Sequence, residues 1–141
     1  MLRELLNKKC LIRLDHVELD TLQEPSDDAE IEMSARDSVE WEKKPDSICV
    51  KCTRTVKFEP ECAYKVTATY SVEHFLNEEN ALDEIPDNEI DEEIQKNISF
   101  YIQERKGLLN RISLVIAQLT SSFNGVPVVT PPYYLEENYN V

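Results

Sequence analysis

Ile90, Ile94, Ile98, Ile102, Leu109, Ile112, Ile116, Leu119 and Phe123 follow one another at steps of three or four residues, with one gap at Arg105. That recurrence is one face of an α-helix. Tyr101, Leu108 and Val115 add a second line at intervals of seven, and Leu114 and Ala117 widen the apolar arc. A helix over residues 91–123 would be about 50 Å long at roughly 1.5 Å per residue. Its second half is apolar over more than half its circumference. Such a helix is expected to lie between two layers, with more than one copy of the chain covering it. Tyr101, Leu108, Leu114 and Val115 are then candidates for an oligomer interface. Gly107 is the natural place for a kink or break, because glycine disfavours a helix interior.

Everything before this helix reads as strands. Cys10, Ile12 and Leu14 alternate with polar residues, then the phase slips near Asp15–His16 to Val17 and Leu19, which predicts a bulge. After the turn residues Glu24-Pro25-Ser26-Asp27-Asp28, a second alternation runs Ile31, Met33, Ala35, Val39 and Trp41. The third is Ile48, Val50, Cys52, Val56 and Phe58. The fourth is Cys62, Tyr64, Val66, Ala68, Tyr70 and Val72, after a reversal at Glu59-Pro60-Glu61. Alternation of this kind belongs to an antiparallel sheet with one buried face. Strands first and helix afterwards predict an α+β fold: a four-stranded antiparallel sheet with one long helix packed on it. Val126–Pro132 should run extended, because its prolines exclude a helix. Asn124-Gly125 is the expected helix stop, and Tyr133–Glu137 could open a short final helix.

The chain has 141 residues and a formal net charge of −13. The length suits one domain with its own core. The charge argues against nucleic acid as a partner. Ten acidic residues and no Lys or Arg fall between Glu73 and Glu93. This reads as a solvated loop that leads into a helix N-terminus, or as a docking patch for a basic partner. No run of about 18 apolar residues suggests a membrane span. The leucines of the N-terminus are interrupted by Arg3, Glu4, Lys8 and Lys9, unlike a secretory signal, so the expected location is cytoplasmic.

Residues for chemistry are sparse. Two glycines leave no phosphate-cradling loop, and two histidines, His16 and His74, give no nucleophile–base motif. Cys49 and Cys52 form a CxxC, but inside a strand residues three apart face opposite ways, and no second pair completes a metal set. Ordinary strand cysteines are the leading reading, ahead of metal or redox chemistry, and in a reducing compartment no disulfide is expected. The expectation is a non-enzyme without cofactor. Trp41, Tyr64 and Tyr70 read as core. Tyr133 and Tyr134, after two prolines, are better placed for a binding surface.

The order of elements resembles the SecB family of export chaperones. The resemblance is carried by four strands, the first ending in Leu22-Gln23-Glu24-Pro25. It continues in the helix half Leu108-Leu109-Asn110-Arg111-Ile112-Ser113-Leu114-Val115-Ile116-Ala117-Gln118-Leu119-Thr120, the exit Gly125-Val126-Pro127, and the link Val128-Val129-Thr130-Pro131-Pro132. It divides the chain into a sheet (9–76), an acidic connector (77–90), the long helix (91–123) and a link with a short C-terminal segment (124–141). It implies a cytosolic homotetramer, a dimer of dimers with helices sandwiched between two sheets. Such proteins bind unfolded polypeptides without ATP, in apolar grooves between the sheet and the link. By position the implied groove draws on Val128, Val129, Pro131, Tyr133, Tyr134 and Leu135, with Phe58, Tyr64 or Trp41 as floor. The resemblance also implies acidic positions that dock a secretion motor ATPase, here Asp20 and Glu24. The outward residues of the fourth strand, Lys65, Thr67, Thr69 and Ser71, depart from that pattern. The alternative it leaves is an adaptor or antitoxin-type chaperone of the same fold with one defined protein partner.

Overall fold

A computed structural model of the chain describes residues 2–26, 28, 30–122 and 126–141. A single helical turn, α1 (Leu2–Leu5), leads into four long strands: β1 (Leu6–Thr21), β2 (Glu32–Lys43), β3 (Ser47–Glu59) and β4 (Tyr64–Leu76). Then come α2 (Asp87–Lys96), a π-helical turn at Phe100–Glu104, α3 (Leu108–Thr120) and a two-residue strand, β5 (Tyr139–Asn140). The sheet is antiparallel in the order β1-β4-β3-β2-β5.

Strand alternation sorts the two faces. Ile48, Val50, Cys52 and Val56 of β3 are buried with Val66, Ala68 and Val72 of β4. They share one core with Ile90, Ile94, Ile102, Leu109, Ile112 and Ile116 of the helical layer. Burying each of these branched side chains is worth about 1.5–3 kcal/mol. The other face presents Lys51, Thr53, Thr55 and Lys57 of β3, and Lys65, Thr67 and Thr69 of β4, all half-buried. The bulge expected near Asp15–His16 is there: Leu14 pairs with Tyr70 and His16 with Thr69, leaving Asp15 extra.

The structure departs from the expected architecture in four places. The sheet has five strands, because the segment after the link ends in β5 along β2 instead of forming a helix. The long helix is three pieces. Gly107 takes a left-handed conformation (φ 62°, ψ 41°) that an L side chain resists, and this ends the run before α3. The Gln103 side chain then accepts the Leu109 N–H at 2.8 Å, partnering a donor that a helix start leaves open. Helix α2 begins at Asp87, after Pro86, with Asp87 and Glu89 in its first turn, where the macrodipole favours acid. The acidic connector is also tied down. Leu82 is buried, Lys43 meets Asp87 at 2.8 Å, and Ser47 donates to Glu73 at 2.6 Å.

The fourth departure concerns the proposed interface residues. Tyr101 and Leu108 are fully buried in the chain's own core and have no surface left for a second copy. Of the four, Val115 is half-buried and Leu114 is 59% exposed. Leu114 stands among exposed Asn110, Arg111 and Gln118, so the outer side of α3 is mixed rather than apolar. The helix stop expected at Asn124-Gly125, and Phe123 before it, lie outside the described residues.

Candidate functional site

At one end of the sheet the strand termini and the link enclose an apolar groove of about 720 Å³. Antiparallel register builds its floor. Met33 opens β2 opposite Phe58 near the end of β3, and Thr21 closes β1 opposite Tyr64 at the start of β4. The Phe58 and Tyr64 rings meet edge to face at 5.1 Å, a favourable aromatic geometry. Leu22, Val126 and Val128 complete the wall, and Glu24 sits at the mouth. Burial pushes the Tyr64 phenol pKa up, so it stays neutral.

The link is held in place by two polar devices rather than by a strand ladder. Thr120 Oγ1, at the end of α3, accepts the Val128 N–H at 2.7 Å. The second device is Arg54, which is fully buried on β3. Its Nε and Nη2 form a bidentate pair with Asp37 of β2, both at 2.7 Å. Nη1 donates to Thr130 Oγ1 at 2.9 Å, to the Pro131 carbonyl at 2.7 Å and to Ser113 Oγ of α3 at 3.1 Å. Nη2 also reaches the Tyr133 carbonyl at 2.8 Å. Asp37 in turn accepts the Leu135 N–H at 2.8 Å. One ion pair thus joins β2, β3, α3 and the link, with its donors directed at groups that burial would otherwise leave unpaired.

Of the residues expected to form the groove, Phe58, Tyr64 and Val128 come together. Val129 and Tyr133 project beside it at 71% and 56% exposure. Pro131 and Leu135 are committed to the Arg54–Asp37 node through their backbones. Tyr134 lies elsewhere, in a polar depression of about 610 Å³ with Arg36, Lys57 and Lys65. Trp41 is not part of the floor. It pairs with Val50 on β3, eight residues from Phe58, about 26 Å along a strand at roughly 3.3 Å per residue. Its indole N–H donates to Asp91 at 2.8 Å, so it packs the β2–β3 turn against α2. Asp20 stands opposite Lys65 near the end of β1, and Glu24 lies just past that strand.

Arg54 and Asp37 escaped the sequence reading, although a signal was there. Each occupies a buried-face position, Arg54 between Cys52 and Val56 and Asp37 between Ala35 and Val39. The hairpin register places the two opposite each other. A second missed node is His74. It is buried on β4, where Arg105 Nη1 donates to its Nδ1 at 2.9 Å. Since Nδ1 must accept, Nε2 carries the proton and donates to the Tyr101 carbonyl at 2.7 Å. Burial, opposed by that carbonyl and reinforced by Arg105, lowers the His74 pKa to about 4.

The cysteines are buried free thiols. Cys49 and Cys52 lie three apart on β3, on opposite faces, and burial raises both pKa values, which keeps the thiols protonated and poorly nucleophilic. Among the described residues no three His, Cys, Asp or Glu side chains converge as metal ligands, and no helix is long and apolar enough to cross a membrane. What the groove offers is apolar surface and aromatic edges beside a link fixed through its backbone.

No protein-family model and no curated protein matches the sequence. Among solved structures, the chain is similar to the Mycobacterium tuberculosis SecB-like chaperone Rv1957 in complex with a ChAD peptide from the Rv1956 HigA1 antitoxin. The TM-score is 0.57 at 10% identity, over 85% of each chain. At that identity the likeness is one of architecture: the chain has a SecB-like α+β fold.

Proposed function

We propose that the protein is a chaperone-type binder that holds extended, non-native polypeptide in the apolar groove without ATP. The observation that carries this reading is the groove itself, an open channel between strand ends and a fixed link, walled by Met33, Phe58, Tyr64, Val126 and Val128. Apolar burial drives binding at roughly 25 cal/mol per Å² removed from water. Val129 and Tyr133 extend the apolar surface beside the link. In this reading the protein is cytoplasmic, catalyses no reaction and works as a homo-oligomer in which Leu114 meets a neighbouring copy. Docking of a secretion motor at Asp20 and Glu24 has no support beyond their exposed, acidic place at the groove end.

The runner-up is an adaptor for one defined protein. It is favoured by the peptide complex of the structural neighbour, which holds a segment of an antitoxin. Two measurements separate the readings. A chaperone suppresses aggregation of several unrelated unfolded substrates, and these compete with one another. An adaptor binds one. The groove assignment predicts that Phe58→Ser with Val126→Ser weakens capture about tenfold, the loss of roughly 1–2 kcal/mol of apolar contact. Unaltered capture by a folded double variant would remove the groove from the account.

A further inference from the structure

Resting on the groove reading above, we infer that the preferred client is an apolar segment followed by acidic residues, and that Arg36, Lys57 and Lys65 read the acidic part. Strand alternation puts the two halves of such a site back to back. Met33, Phe58 and Tyr64 face the groove. Their chain neighbours Ser34, Lys57 and Lys65 line the polar depression on the other face of the same sheet end. An extended peptide leaving the groove over this edge meets that depression within a few residues.

The depression is out of character for a chain of net charge −13. It is lined by three cations, with Ser38 and Thr55 hydroxyls between them. Val56 pairs with Val66, so the next position of the same register sets Lys57 opposite Lys65, a like-charge pair that costs stability in the free protein. Arg36, opposite Thr55, lies one diagonal step from Lys57 on the same face, within reach of long side chains. Of the two carboxylates that line the depression, Asp37 is consumed by Arg54 and Glu136 remains. Glu59 contacts Lys57 at 3.0 Å from an exposed position. The local balance is positive, and an acidic ligand relieves the lysine pair where a basic one adds to it.

The test uses the full chain and three labelled peptides that share one apolar stretch and end in glutamates, lysines or serines. The glutamate peptide is expected to bind about five- to tenfold more tightly than the lysine peptide in low salt. That gap should close in about 0.5 M salt, and in the triple variant Arg36→Ser, Lys57→Ser, Lys65→Ser. Equal affinities for glutamate and lysine peptides, or discrimination that survives the triple variant, overturn the inference while the serine peptide still reports the groove. Full displacement of the glutamate tail's advantage by inorganic phosphate makes the depression a free anion site and also overturns it. If the serine peptide fails to bind, the groove reading is what falls.

Discussion

At the scale of single residues the fold turns on one buried ion pair. Arg54 and Asp37 are both inaccessible to solvent, and removing water from two charges is recovered only with complete hydrogen bonding. Here that bonding comes from the link, whose Pro131 and Tyr133 carbonyls accept from Arg54. Arg54→Leu should therefore cost about 3–5 kcal/mol, since it strands Asp37. Asp37→Leu should cost a similar amount. The double variant should cost less than the sum, yet still about 1–3 kcal/mol, because the link groups lose their partners. Urea unfolding of the four proteins gives the coupling, and strict additivity would contradict the node. The pair was legible in outline: two charges at apolar-parity positions, 37 and 54, on strands joined by a short turn. What the sequence could not supply was the link folding back over them, since residues 130–135 carry no pattern that names a partner 76 to 98 positions away.

At the scale of elements, the strands were read well because a period of two reports one buried face directly. The helix was over-read for a related reason. Apolar periodicity reports the surface being covered, and Ile94, Ile102, Leu109 and Ile116 all meet the same core. The pattern therefore runs on across Gly107 although the hydrogen bonding does not. The chain end was misread because two residues of strand leave no period. Its function in the fold is to cover an edge. The Leu135 carbonyl accepts the Asp37 N–H, β5 pairs Asn140 with Ser34, and the Val141 N–H reaches the Met33 carbonyl. The opposite edge, β1, instead carries Lys8, Lys9, Arg13 and a bulge, devices that discourage pairing. Truncation after Glu137 should thus bare the start of β2 while keeping the Arg54 node. The expected result is a small stability loss, about 1 kcal/mol, with clear self-association by light scattering at concentrations where the full chain shows none. A truncated chain that associates no more than the full one would remove this role from the tail.

For the whole molecule, acid sets two effects against each other. A net charge of −13 is self-repulsive, and protonating carboxylates relieves it. Ordinary carboxylates titrate near pH 4, so this relief is slight above about pH 5. His74 acts earlier. Its pKa is 6.5 in the unfolded chain and about 4 when folded, so between those values the unfolded state holds the extra proton. Stability from this group is complete above pH 6.5 and is lost as pH falls toward 4. Over the window from 6.5 to 5 the slope approaches about 1.4 kcal/mol per pH unit, close to 2 kcal/mol in all. Replacing His74 by Gln keeps a donor for the Tyr101 carbonyl but removes the titration. Urea unfolding at pH 7, 6 and 5 should show the parent losing stability across the window and His74→Gln staying nearly level. Parallel profiles would mean that the His74 ring gains its proton without leaving its site, in which case the Arg105 and Tyr101 contacts must yield at mild acid instead of holding the imidazole neutral.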